Sequence, residues 1–199
     1  YNESAGINSL DPAFAKDQAS IWATSQLFNG LVQLDKDLQV QPAIAKEWDI
    51  AADAKTYTFY LRTDVLFHQH ELLSEQERLV RAQDFVYSFN RLTDAQVASP
   101  GAWVMNNVQL YEAINDSTLR IVLKTAFPPF LGLLSMPYCS VVPEEVASQA
   151  NFRDEPLGTG PFYFQYWKDN VKLVLRKNPD YFEEGLPRLD AVSISFIKD

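Results

Sequence analysis

Both histidines of the chain lie in one short run, His68-Gln69-His70-Glu71. Residues i and i+2 of an extended segment share a face, so the two imidazoles could reach one cation, with Glu71 or Glu75 assisting. The spacing matches no defined zinc signature, and a solvated loop edge explains the run more simply. Metal binding is therefore not assigned, and His68 and His70 are kept as the candidates should there be any. Cys139 is the single cysteine and has no histidine near it in sequence. It reads as a buried, inert thiol, and one cysteine allows neither an internal disulfide nor a cysteine-based zinc site. Gly158-Thr159-Gly160-Pro161 lacks the further glycine and the lysine of a phosphate loop, and it precedes a strand pattern, not a helix. A tight backbone turn beside a ligand or hinge is the better reading. There is no G-x-S-x-G motif, no paired carboxylates stand out, and two histidines are too few for an acid–base network. Catalysis is not expected, and no cofactor is implied.

The elements that must position these residues alternate clearly in places. Residues 43–68 read as strand, polar turn, strand: Tyr57, Phe59 and Leu61 alternate with Thr58, Tyr60 and Arg62, which gives one apolar face at a period of two. Asp49, Asp53 and Lys55 suit a solvated turn. Residues 17–29 carry a helical pattern with Ile21, Thr24, Ser25 and Phe28 on one face, and Gly30 is placed as its C-terminal cap. A short strand follows over 31–34, and residues 42–45 open a helical turn. Residues 82–92 predict a helix with Phe85, Val86 and Phe89 inward. Ser74 and Glu77 have capping-box spacing, but Leu79-Val80 reads as extended. A second hairpin spans 108–114 and 119–124 across Asn115-Asp116-Ser117. Short helices follow over 130–135 and from Pro143 to about residue 150. Three strands close the chain, over 162–167, 171–176 and 191–197.

The 199 residues have room for one large domain or two small ones. The net charge is −9, and no Lys/Arg cluster occurs. That argues against nucleic acid, which needs a concentrated basic face, and gives no reason for attraction to an anionic membrane. No apolar run approaches the length of a membrane span. Strands with interspersed helices indicate an α+β (mixed α/β) fold.

Several segments together resemble one family. They are Ser9-Leu10-Asp11-Pro12; Leu27-Phe28-Asn29-Gly30-Leu31; Ala45-Lys46-Glu47-Trp48; Thr56-Tyr57-Thr58-Phe59-Tyr60-Leu61-Arg62; and Val65-Leu66-Phe67-His68. The helix 82–92, Gly158-Thr159-Gly160-Pro161-Phe162 and Arg176-Lys177-Asn178-Pro179-Asp180-Tyr181-Phe182 continue the match in order. The pattern is similar to the bacterial extracellular solute-binding proteins of family 5, the oligopeptide, dipeptide and nickel binders of ABC importers. Residues 69–81 depart from it, replacing a short Asp-Gly-type turn.

The resemblance implies a class II periplasmic-binding-protein lobe: a mixed β-sheet with flanking helices plus a smaller β-rich subdomain. Residues 1–35 and 152–199 would form the discontinuous sheet domain and 36–151 the smaller inserted domain. The second, C-terminal lobe would lie outside this chain. It implies capture of a solute, an oligopeptide by preference and a metal or metal chelate as the alternative. Delivery would be to the permease of an ABC importer, outside the cytoplasmic membrane. The protein would be free in the periplasm or held by a lipid anchor upstream of residue 1. Peptide-contacting positions carried over are the extended Gly6, Ile7, Asn8 and Ser9, then Trp103, the turn residues Gly158 and Thr159, and Tyr181. The group that meets a peptide's amino terminus would come from the other lobe, so weak peptide binding or none by this chain alone is expected.

Overall fold

The structure, a computed structural model, describes residues 2–3, 6–149 and 151–196. In chain order these form β1 (Asn2–Glu3), α1 (Gln18–Leu27), β2 (Val32–Leu34), β3 (Val40–Pro42), β4 (Ala45–Ile50) and β5 (Thr56–Leu61). Next come α2 (Ala82–Thr93), β6 (Val108–Asn115), β7 (Thr118–Leu123), α3 (Phe130–Leu134), α4 (Glu144–Ala147), β8 (Phe162–Lys168), β9 (Lys172–Lys177) and β10 (Ala191–Phe196). One sheet has the order β1-β10-β9-β8, with β1 parallel to β10 and the other pairs antiparallel. It joins the two ends of the chain. A second, fully antiparallel sheet has the order β4-β5-β7-β6, and β2 pairs with β3 as a separate ribbon.

Strand β5 realises the alternation in its sequence. Tyr57, Phe59 and Leu61 are buried while Thr58 and Tyr60 keep partial exposure. As the central partner of β4 and β7, it brings Phe59 beside Trp48 (ring centroids 6.4 Å) and Tyr57 edge-on to Phe130 (5.3 Å). Burial of one such aromatic contributes about 2–3 kcal/mol. The other sheet turns Phe162, Leu173, Leu175 and Ile194 inward, and both sheets contribute to one continuous apolar cluster.

Most predicted elements form. Helix α2 buries Phe85 and Phe89 and keeps Val86 at the margin. Its first turn is closed by the Asp84 carboxylate, which accepts from the Arg81 N–H at 2.7 Å. The Ser74–Glu77 reciprocal bonds also form, at 2.8 and 3.4 Å, but they close an isolated turn. Leu79 then bridges to Leu66, and this extended segment stops a helix from growing there.

Two local expectations are corrected. Gly30 does not cap α1. Phe28 ends the helix in an extended conformation, with its N–H on the Thr24 carbonyl, and the chain runs straight on toward β2. Gly30 serves packing instead, because a Cβ there would press on the Leu134 carbonyl oxygen at 3.3 Å. Residues 42–45 form no helical turn. Pro42 ends β3, and Ile44 and Ala45 donate their N–H groups to Gly30 and Leu31, which ties the ribbon to β4. Helix α4 also stops at Ala147, short of residue 150, which lies outside the described residues, as does residue 197 of the last predicted strand.

Candidate functional site

The Ser9-Leu10-Asp11-Pro12 corner is fixed by hydrogen bonds of its own residues. Ser9 Oγ accepts from the Asp11 N–H at 3.1 Å, and Asp11 Oδ1 accepts from the Ala13 N–H at 3.0 Å, capping a short 3-10 turn over Pro12–Phe14. Asp11 is 2% exposed and receives Arg91 of α2 through both terminal nitrogens, at 3.0 and 2.5 Å. A bidentate pair of this kind is directional as well as strong. On the other side, Leu10 donates its N–H to the Arg153 carbonyl at 3.1 Å, and the Arg153 guanidinium donates to the Asn8 carbonyl. Ser99 completes the arrangement: its Oγ donates to the Ala13 carbonyl at 2.5 Å and accepts from the Gly101 N–H at 3.0 Å.

These contacts bring three distant segments together around an open groove of about 580 Å³, lined by Asn8, Ser9, Phe14 and Lys16 from the first, Ala98 and Pro100 from the second, and Arg153 from the third. Trp103 stands on the 3-10 turn Ala102–Met105 just beyond Pro100, and it is 49% exposed. A large apolar ring left half in water beside a groove is a contact surface in waiting.

The glycine turn is built differently. Gly160 donates its N–H to the Leu27 carbonyl at 2.8 Å. A Cβ on Gly160 would lie 2.4 Å from the Gln26 oxygen and the Leu27 carbon, and one on Gly158 would lie 2.1 Å from the Leu27 oxygen. Close approach to the end of α1 therefore accounts for both glycines. Between them, Thr159 Oγ1 donates to Asn29 Oδ1 at 3.0 Å and accepts from the Asn29 N–H at 3.2 Å. Asn29 Nδ2 reaches the Tyr181 hydroxyl at 3.3 Å, and that hydroxyl faces Glu183 Oε1 at 3.4 Å. Burial pushes the Tyr181 phenol up to about 12.

The residues expected at the site thus fall into two groups. Asn8 and Ser9 line the groove, and Trp103, exposed on the turn that follows Pro100, does not. Thr159 and Tyr181 are joined through Asn29, a link that no local pattern suggests. The side chains of Ile7 and Thr159 turn inward, at 3% and 1% exposure, which leaves main-chain groups as what Ile7 can offer a ligand. Gly6 packs near Asn170 of the β8–β9 turn. Arg153, Lys16 and Phe14 went unnoticed in the sequence, because no local pattern links them to Asn8 or Pro100.

The histidine pair is divided. His68 is buried, and its N–H donates to the Gly158 carbonyl at 2.8 Å. Ring Nε2 faces the Gly160 carbonyl at 3.0 Å and so carries the proton, while Nδ1 accepts from the Gly158 N–H at 3.4 Å. Both ring nitrogens are spent on the glycine turn. Burial pulls the His68 pKa down to about 4, so the ring is neutral near pH 7. His70 Nδ1 accepts from the Leu72 N–H at 3.2 Å. Among the described residues no group of three or more His, Cys, Asp or Glu is disposed to hold a metal ion. The irregular 69–81 segment is anchored by buried Arg78, which donates to the Phe67 carbonyl (3.0 Å), Glu75 (2.9 Å) and Asp180 (2.7 Å). Cys139 is buried, and its thiol is pushed up to about 12.

The chain was compared with known proteins. The pattern of the bacterial extracellular solute-binding proteins, family 5 Middle, matches residues 39–199. Di/tripeptide-binding protein 2 of Pseudomonas aeruginosa (strain UCBPP-PA14) is 33% identical over 178 residues, covering 80% of this chain and 33% of that protein. The glutathione-binding protein GsiB of Pectobacterium atrosepticum is 29% identical over 189 residues, covering 94% of this chain and 35% of the relative. The periplasmic binding protein DppA of Helicobacter pylori, solved in complex with the peptide STSA, superimposes with a TM-score of 0.90 at 31% identity. That superposition covers 100% of this chain and 42% of DppA. The chain therefore spans about a third of the length of these curated relatives. Its fold is that of the class II periplasmic binding proteins, and peptide ligands are favoured over metals among the proteins it resembles. On the family match and the whole-chain superposition together, this chain belongs to the bacterial extracellular solute-binding proteins of family 5.

Proposed function

We propose that this chain supplies one wall of a peptide-capturing cleft, in a protein that holds short peptides outside the cytoplasmic membrane and hands them to the permease of an ABC importer. The observation that carries this reading is its likeness, over its whole length, to a protein solved with a bound peptide. The groove at Asn8, Ser9 and Pro100 with Trp103 beside it supports the same reading. An extended peptide would lie along residues 6–9, held through main-chain groups as an added strand, with Trp103 covering an apolar side chain. Arg153 already occupies the Asn8 carbonyl, so the ligand would pair with the remaining polar groups of that segment.

On this reading the protein binds and does not catalyse. Residues 1–35 and 152–199 form the sheet domain that holds the groove's inner side, and residues 36–151 form the smaller domain beside it. The buried pair Asp11–Arg91 and the chelated Arg78 join the two. Export, and a lipid anchor upstream of residue 1 or free residence in the periplasm, go with this role. Among the described residues no helix is long and apolar enough to cross a membrane.

The test is to map millimolar trialanine on the isotope-labelled chain by NMR. Shifts of the Asn8, Ser9 and Gly101 amides and the Trp103 indole support the proposal. A nickel-induced shift centred on His70, without one from peptide, would sink it in favour of the metal alternative.

A further inference from the structure

The groove has a charge character that the chain as a whole does not share. The chain carries a net charge of −9, yet among the described residues the charged side chains lining the groove are Lys16 and Arg153. Of the described acidic groups close to them in sequence, one is neutralised by a paired cation and the others keep their charge. Asp11 is held by Arg91. Asp17 accepts from the Ser20 N–H and hydroxyl, at 2.9 and 3.0 Å, and from Asn8 Nδ2 at 3.3 Å. Asp154 stands 3.9 Å from Arg153 Nε with both groups well exposed, a contact that solvent largely screens. Among the described residues Lys16 forms no ion pair. Two cations thus share the groove's lining with the apolar groups of Phe14, Ala98 and Pro100.

The Arg153 guanidinium is also pre-positioned. Its donation to the Asn8 carbonyl, and the bond from the Leu10 N–H to its own carbonyl, fix it against the segment that would carry the ligand. An oriented guanidinium with donors to spare, an ammonium on a free stem and apolar groups beside them together match a small solute with a carboxylate at one end.

We infer that Lys16 and Arg153 form a carboxylate-reading subsite, which selects short peptides carrying an anionic group at the end that enters this groove. The inference rests on the peptide-binding reading above and deepens it. A carboxylate here is drawn by two positive charges and accepts hydrogen bonds in which both partners are ionised, whereas an amide oxygen accepts from the same cations without the ion–ion attraction. Free-acid peptides therefore bind about tenfold more tightly than their amides.

The experiment compares three probes on the isotope-labelled chain: trialanine, trialanine amide, and the amide of Ala-Glu-Ala, whose carboxylate sits on the side chain. Dissociation constants come from shifts of the Asn8, Ser9 and Gly101 amides. The expected result is tighter binding of trialanine than of its amide, reduced at least fivefold in Lys16→Gln and in Arg153→Gln and restored in Lys16→Arg. Tight binding of the Ala-Glu-Ala amide would assign the carboxylate to a side chain, and weak binding would assign it to the terminus. Both outcomes support the subsite. Equal affinity for trialanine and its amide, or no effect of either substitution, overturns the subsite and leaves peptide binding standing. No binding of any probe also overturns the subsite. Lys16 is exposed and its side chain is unpaired among the described residues, so Lys16→Gln leaves the fold intact and a lost preference cannot be laid to unfolding.

Discussion

Acidification should work against the buried, neutral His68 ring. In the folded chain its pKa is lowered from 6.5 to about 4, chiefly because burial disfavours the imidazolium. The unfolded chain binds a proton there at pH values where the folded chain does not, so stability falls as pH drops through the window from 6.5 to 4. Between pH 7.5 and 4.5 the loss comes to about 2.5 kcal/mol. Asp84 opposes it. Burial raises that carboxyl from 3.8 to about 6, so between about pH 6 and 4 the folded state is the one that binds the extra proton. Over the same interval Asp84 returns about 2 kcal/mol, an upper figure because the group is only part-buried. The intact chain should therefore look nearly indifferent to this change of pH, losing about 0.5 kcal/mol or somewhat more.

Two substitutions separate the contributions. His68→Gln keeps an N–H donor for the Gly160 carbonyl and removes the titration, so it should gain about 2 kcal/mol on acidification. Asp84→Asn removes the compensation and should lose the full amount of about 2.5 kcal/mol. Urea unfolding followed by tryptophan fluorescence at the two pH values measures each difference. The His68 ring proton followed by NMR gives its pKa directly. A ring that titrates between 6 and 7 would refute the reasoning, as would a His68→Gln chain whose pH response matches the parent within about 0.5 kcal/mol, the scatter expected of a surface change.

Gly160→Ala forces a methyl group to within 2.4 Å of helix backbone atoms and should cost about 3 kcal/mol in chemical denaturation. Arg91→Met leaves Asp11 buried without its partner and should cost about 3–5 kcal/mol, and adding Asp11→Asn should recover part of that in a double-mutant cycle. Trp103→Ala removes an exposed ring, so urea midpoints should shift little while peptide-induced NMR shifts at Ser9 and Gly101 shrink at least severalfold. The Cys139 thiol should resist a water-soluble disulfide reagent at pH 8 in the folded chain and react only at the rate of unfolding.

Local pattern fixed the scaffold more readily than the groove. A period of two in residues 56–61, a polar turn at residues 115–117 and the inward phenylalanines of α2 are signals contained within a few residues, and the structure honours each. The two local errors, at Gly30 and at residues 42–45, occur where tertiary contacts override propensity. At Gly30 the need for close approach to Leu134 places a glycine, and at Ile44 and Ala45 backbone bonds to residues 30 and 31 hold the chain extended.

The groove and the glycine turn, by contrast, are assembled across long separations. Asp11 meets Arg91 80 positions away, His68 meets Gly160 at 92, Asn29 meets Thr159 at 130, and Asn8 meets Arg153 at 145. No window of sequence holds both partners of any of these bonds, so periodicity cannot reveal them. Recognisable motifs supplied Asp11, Asn29 and Thr159 because they sit inside quotable runs, and they missed Arg153 and Lys16, which sit outside any run. The same separation explains why the polar bonds matter to the site out of proportion to their number. Each closes a loop of about 80–150 residues, whose entropy the apolar core has already offset on folding. The bond then adds orientation at little further entropic cost. A carboxylate-reading guanidinium held against Asn8 in this way can discriminate between an acid and an amide, whereas the same arginine on an unanchored loop would spend much of its binding energy on being ordered.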